Sequence, residues 1–209
     1  MSDTADTPQI YLITPSEFDL STYPAQLAAC LDKVAVACVR LALGTKDDAR
    51  IIKAADALRE VTHTRDVPLV IDSNMLMVGR LGLDGVHLTD GARSVKKVRK
   101  ELGEDAIVGS FCTNSRHDGM TAGELGADYV SFGPVGVTSL GDGRQAEAEL
   151  FEWWSMMIEV PVVAEGALSL DLVSQLAPHT AVFGFGDEGW NSDDPVKTLD
   201  AFSAAMGGG

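Results

Sequence analysis

Eight short runs of apolar and β-branched residues recur along this chain, separated by longer stretches whose apolar residues repeat at helical spacing. The runs fall at 9–14, 36–41, 68–71, 85–88, 106–110, 127–132, 161–164 and 180–184. They are apolar on both faces, as parallel strands covered by helices should be. Helices are expected between them, near 24–33, 46–62, 75–81, 94–102, 116–124, 145–157, 169–176 and 195–206. In the second of these, Ile51, Ile52, Ala55, Leu58 and Val61 recur at the 3.6-residue period. A strand returning every roughly 20 to 30 residues, each time after one crossover helix, predicts an α/β fold: a single (β/α)8 barrel. The domain is expected to span 1–209, with 1–8 as an N-terminal tail and 207–209 as a frayed end. An open, doubly wound sheet is the alternative. The first strand is not followed by G-x-G-x-x-G, and the chain carries no P-loop.

Composition narrows the function classes. The 209 residues are 45% hydrophobic, enough for a sizeable core and too apolar for a disordered chain. Sixteen Lys and Arg against 31 Asp and Glu leave a formal charge of −15. So acidic a surface repels phosphate backbones, so no nucleic-acid partner is expected. No apolar stretch reaches the roughly 18 residues of a membrane span, so no membrane partner is expected either. Residues 1–8 carry Asp3 and Asp6 and lack the basic and apolar regions of a secretory signal. Cys30, Cys38 and Cys112 form no C-x-x-C pair and suit buried thiols in a reducing compartment. A cytoplasmic protein with a small-molecule ligand is predicted, and a homo-oligomer is compatible with the sequence.

In such a barrel the chemistry lies at the C-terminal strand ends. Polar residues there are Tyr11 and Thr14 on the first strand, Arg40 on the second, Asp72 after the third and His87 on the fourth. Thr138 and Ser139 follow the sixth, and Glu165 ends the seventh. Ligand binding is therefore assigned to Tyr11, Arg40, Asp72, His87, Thr138 and Ser139, with Asp72 and Glu165 as candidate catalytic acid and base. An unpaired guanidinium inside an apolar barrel is too costly to keep, so Arg40 is expected to pair with Asp72 or Glu165. Backbone groups of Gly166, Gly184 and Gly186 are candidates for phosphate, because such barrels hold phosphate between the last two strand-end loops. Glu165, Asp187 and Glu188 crowd that place with negative charge and favour a neutral or cationic ligand. No metal site is assigned: His63, His87, His117 and His179 lie far apart in the chain and form no ligand motif. Trp153 and Trp154 are expected to pack rather than stack on a ligand.

Several segments resemble the thiamine phosphate synthase family, which includes a thiazole tautomerase branch. The likeness is strongest at Tyr11-Leu12-Ile13-Thr14, at Asp84-Gly85-Val86-His87-Leu88, and from Gly126 through Val135 with Thr138-Ser139 beyond. Pro161 to Ala167 is similar to the family's seventh strand. The resemblance implies a (β/α)8 fold and a transferase of thiamine biosynthesis. That reaction joins a hydroxymethylpyrimidine diphosphate to a thiazole phosphate and releases pyrophosphate with Mg²⁺. The pyrimidine ionises to a cation that the thiazole nitrogen attacks. At the family's functional positions this chain carries Arg40-Leu41-Ala42-Leu43-Gly44, Asp72-Ser73, Ala92, Phe111 and Gly141, with Thr113 at the tautomerase histidine. These residues replace both metal carboxylates and the phosphate-binding cations. The expectation is thus a diverged enzyme acting on a related small molecule, without Mg²⁺ or another cofactor and with weak ordinary synthase activity. A non-catalytic ligand-binding or regulatory barrel and an active synthase are the alternatives.

Overall fold

The computed structural model describes residues 7–207, so residues 1–6 of the expected tail and 208–209 of the expected frayed end lie outside it. Eight parallel strands close on themselves in sequence order: β1 (Gln9–Ile13), β2 (Val36–Leu41), β3 (Leu69–Asp72), β4 (Gly85–Leu88), β5 (Ile107–Phe111), β6 (Tyr129–Phe132), β7 (Val162–Glu165) and β8 (Val182–Phe185). β8 pairs with β1, with Tyr11 opposite Gly184. The alternation read from the sequence is this barrel.

Helices α1 (Tyr23–Lys33), α2 (Asp48–His63), α3 (Met75–Leu81), α4 (Val95–Leu102), α5 (Arg116–Glu124), α6 (Ala148–Met157) and α7 (Leu170–Leu176) each follow a strand. After β8 come a one-turn helix, α8 (Asp187–Trp190), and then α9 (Pro195–Gly207). Side-chain caps fix several helix starts. Asp47 accepts from the Ala49 N–H, Ser115 from Asp118 and Ser169 from Leu172, each satisfying an otherwise orphaned first-turn donor. Gly207, expected to fray, is the last residue of α9.

Several boundaries differ from the sequence reading by one to three residues, and the largest differences have identifiable causes. β6 starts at Tyr129 rather than 127, because the Asp128 carboxylate accepts from the Val108 N–H at 2.7 Å and from Arg99 at 2.6 Å, fixing the residue before the strand. α6 starts at Ala148 rather than 145. The Ala146 N–H donates to the Pro134 carbonyl and the Gln145 amide to that of Val135, which ties this segment to the loop after β6. The expected long loop after β8 contains α8, whose four residues are too few to show a helical period.

Two apolar layers result. The larger lies between strands and helices and includes Leu12, Val39, Phe132, Ala164 and Phe183 from the outward strand positions. Trp154 belongs to it and donates its indole N–H to the Val160 carbonyl, while Trp153 carries the Arg116 guanidinium 4.7 Å from its ring, so both pack as expected. The smaller layer fills the barrel with Tyr11, Ile13, Cys38, Val70, Tyr129 and Val163. All three cysteines are buried and free, and burial raises their thiol pKa values to about 11 (Cys30), 12 (Cys38) and 11 (Cys112). Among the described residues no helix is long and apolar enough to cross a membrane.

Candidate active site

Strand alternation sets the site. Side chains two apart share a face, so two residues beyond Cys38, Val70, Tyr129 and Val163 the barrel receives Arg40, Asp72, Ser131 and Glu165. His87 enters from β4, where it pairs in register with Asp72. The interior is thus apolar towards one end and ionisable towards the C-terminal end.

Arg40 is the hub. Its Nε lies 3.1 Å from Asp72 Oδ1 and its Nη1 lies 3.1 Å from Glu165 Oε2, so it pairs with both predicted carboxylates. Nη1 also donates to His87 Nε2 at 2.9 Å. The contact with Asp72 is a close charge pair out of line for a hydrogen bond. Ser131 donates to Glu165 Oε1 at 2.6 Å. Arg40, His87 and Glu165 are 7%, 1% and 1% exposed, so all three groups are buried.

The protonation pattern follows from donor counting. A guanidinium can only donate, so His87 Nε2 accepts and the ring proton sits on Nδ1. Nδ1–H then donates to the Tyr129 hydroxyl at 2.9 Å, which is 2.7 Å from the Tyr11 hydroxyl. Burial, and secondarily Arg40, push the His87 pKa far down, so the ring stays neutral. Burial works against the charge on Arg40, but Glu165 and Asp72 outweigh it and raise its pKa.

Asp72 behaves differently. Burial raises its pKa to about 6, with Arg40 lowering it and Glu165 raising it. A carboxyl whose folded pKa exceeds the roughly 3.9 of an unfolded Asp stabilises the fold below that lower value, and this contribution is lost as pH rises through about 6. Between pH 4 and 7, Asp72→Asn is therefore expected to flatten the fall in stability. Urea midpoints at several pH values measure this, and an unchanged slope would refute the assignment.

The remaining predicted residues divide. A cavity of about 550 Å³ opens above β1, β2, β7 and β8, lined among others by Thr14, Arg40, Thr138, Gly166, Gly184 and Gly186. Tyr11 and His87 do not line it. They lie inside the barrel, where their hydroxyl and ring groups complete the buried network beneath it. Ser139 is exposed on the same loop as Thr138 but outside the cavity lining. Tyr129 and Ser131 were not singled out from sequence; their signal is two polar residues at alternate positions of one strand, the spacing that places both inward.

The mouth also holds strained backbone. Ser73, Thr113 and Ala167 follow β3, β5 and β7 and take φ of 52°, 51° and 56°. Positive φ is unfavourable for residues with a Cβ, most of all for β-branched Thr113, and such strain concentrates at functional sites.

The Mg²⁺ implied by the resemblance would meet carboxylates that are already engaged within the protein. Among the described residues no three His, Cys, Asp or Glu side chains converge to hold a metal. Asp72 faces Arg40, Asp90 accepts from the Ser94 hydroxyl at 2.6 Å, and Ser73 and Thr89 share a hydroxyl contact at 2.9 Å.

Known proteins are similar to this chain in sequence and in fold. Residues 10–184 match the family model described as thiamine monophosphate synthase. The thiamine-phosphate synthase of Rhodospirillum centenum is 39% identical over 206 residues, covering 96% of this chain and 98% of the relative. That of Erythrobacter litoralis is 34% identical and covers 93% of each. In fold, the chain is similar to the thiamine phosphate pyrophosphorylase of Pyrococcus furiosus, with a TM-score of 0.83 at 19% identity over 97% of this chain and 96% of that one. With its eight-stranded barrel and a family match running from β1 into β8, this chain belongs to the thiamine monophosphate synthase family.

Proposed function

We propose that this chain synthesises thiamine phosphate from a pyrimidine diphosphate and a thiazole phosphate, releasing pyrophosphate. The observation that carries the reading is the 39% identity to a named synthase across nearly the full length of both chains. It weighs against the expectation, drawn from Ser73, Ala92, Phe111 and Gly141, that synthase activity is weak. The residues at those positions differ from the family pattern, and the whole-length likeness favours an active enzyme over either other reading.

The geometry supports a specific electrostatic role. Two carboxylates, Asp72 and Glu165, face one guanidinium; Arg40 and Glu165 line the cavity, and Asp72 pairs with Arg40 from outside that lining. Such an excess of carboxylate stabilises positive charge on a ligand lying over it, and in this reaction positive charge develops on the ionising pyrimidine. The network is held by Ser131 and His87 before any ligand arrives, so little reorganisation is needed. Mg²⁺, when bound with the diphosphate, supplies charge neutralisation for the leaving group; no protein ligand set is assigned to it.

The test is direct. With pyrimidine diphosphate, thiazole phosphate and Mg²⁺, purified protein is expected to form thiamine phosphate at a turnover on the order of one per second, within the usual enzyme range. Product no faster than the uncatalysed background would overturn the reading. It would leave the diverged small-molecule enzyme, which the acidity of the cavity favours.

A further inference from the structure

Tyr129 on β6 reaches His87 on β4 across the strand that lies between them. His87 stands in register with Gly109 of β5, and Gly109 in register with Tyr129. A Cβ on Gly109 would collide with Cζ and the hydroxyl of Tyr129, so the missing side chain is the gap the phenol occupies. Phenol and imidazole then lie with their planes 22° apart, and the Tyr129 oxygen accepts from Nδ1–H at 2.9 Å. Its own O–H is left to donate to the Tyr11 oxygen, 2.7 Å away on β1. His87 is 1% exposed, and among the described residues the Tyr129 oxygen is the acceptor its Nδ1–H meets.

The tautomer decides how Arg40 is held. With the proton on Nδ1, the bare Nε2 accepts from Arg40 Nη1 at 2.9 Å, shorter than either carboxylate contact at 3.1 Å. Asp72 and Glu165 draw the guanidinium towards β3 and β7, and His87 anchors it at a third point without neutralising it. With the proton on Nε2, two donors would face each other and the guanidinium would have to move. Which nitrogen of a histidine carries the proton is set by the bond the other one makes. A tyrosine oxygen accepts that bond; a phenylalanine ring offers no acceptor.

We propose that Tyr129 is a positioning residue: by accepting from His87 Nδ1–H across the gap at Gly109, it selects the imidazole tautomer that holds Arg40 between Asp72 and Glu165. Tyr129 does not line the cavity, whereas Arg40 does, so its effect on a ligand passes through His87 and Arg40. Its bearing on turnover rests on the synthase reading; the placement of the protons does not.

Nitrogen NMR on the full chain tests the placement. In the unsubstituted protein at pH 7, His87 should show a protonated Nδ1 and a bare Nε2. A proton on Nε2 would overturn the proposal without any substitution. Tyr129→Phe keeps the ring and removes the acceptor, and Gly109→Ala keeps the hydroxyl and closes the gap. Both are expected to move the His87 proton off Nδ1, wholly or in part, and to shift the Arg40 Nε–H resonance. An unchanged tautomer in Tyr129→Phe would overturn the proposal. A double-mutant cycle separates action through His87 from packing. In a His87→Leu background, adding Tyr129→Phe should leave the Arg40 Nε–H resonance where His87→Leu alone puts it. A further shift as large as in the unsubstituted background would show that Tyr129 acts on Arg40 by another route and would overturn the proposal. In the synthase assay, Tyr129→Phe should lower kcat at least about tenfold and change KM little, as misplacing a group used in the transition state does. An equal kcat would overturn the proposal. An unsubstituted protein that makes no thiamine phosphate removes the synthase reading alone, because the resonances still decide the role of Tyr129.

Discussion

Replacing Arg40 with Met is expected to cost about 3–5 kcal/mol of stability, the usual penalty for removing one partner of a buried ion pair. For a chain of this size that lowers the melting temperature by roughly 10 °C. Methionine is apolar and long enough to fill much of the space, so the loss reports charge rather than a cavity. It strands Asp72 and Glu165 without a counter-charge and His87 Nε2 without its donor. The pH dependence identifies the cause. Arg40 is the group that lowers the Asp72 pKa, so without it the carboxyl titrates above its present value of about 6. A raised carboxyl pKa gives stability at low pH that is lost as pH rises through it. The deficit of Arg40→Met should therefore be smaller at pH 5 than at pH 8. Thermal and urea unfolding at the two pH values measure this. A variant as stable as the original that no longer binds ligand would show that Arg40 serves as a ligand clamp alone.

How much of this was legible follows from the kind of signal each residue leaves. Strands β1 to β8 were readable because a run apolar on both faces has few other uses, and its recurrence fixes the crossovers. Arg40 was readable because a permanent charge inside such a run demands partners, and Asp72 and Glu165 stood at the right strand ends. Tyr129 and Ser131 left a weaker trace. Tyr and Ser are common in strands, and only the inward register of β6 separates them from ordinary packing. The starts of β6 and α6 depend on what the Asp128 and Gln145 side chains bond far along the chain, which local periodicity does not encode. The contact made by Glu188 was half visible. Glu188 was recognised as an unfavourable neighbour for phosphate, but only the folded loops bring its carboxylate to the Leu168 N–H. Sequence gave the charges, and the barrel decided which of them meet.

A change that adds no charge and removes none should test how tightly the scaffold holds the pair of Arg40 and Glu165. Gly133 directly follows β6, and its N–H donates to the Thr113 carbonyl at 3.0 Å. A Cβ there would fall well inside contact distance of the Glu165 carbonyl oxygen and 3.3 Å from Glu165 Cγ. That carbonyl also accepts from the Val135 N–H at 3.1 Å, so the backbone on both sides is fixed. A flexible side chain could swing aside, but a strand-end carbonyl cannot. Gly133→Ala must therefore displace the end of β7 together with Glu165. Overpacking of this kind costs about 1–3 kcal/mol, and the rigid neighbour puts this site at the upper end. The catalytic effect should be larger than the stability effect, because a shift near 1 Å in a positioned group can cost on the order of 100-fold in rate. Gly79→Ala is the control: nothing lies within 4 Å of its added Cβ, and it sits within α3. Alanine favours a helix over glycine by roughly 0.5–1 kcal/mol, so that variant should be as stable as the original or more so. Melting temperatures and kcat/KM of both variants decide the matter. Equal behaviour of Gly133→Ala and Gly79→Ala would mean that β7 yields freely and that the geometry around Glu165 is not held by the loop after β6.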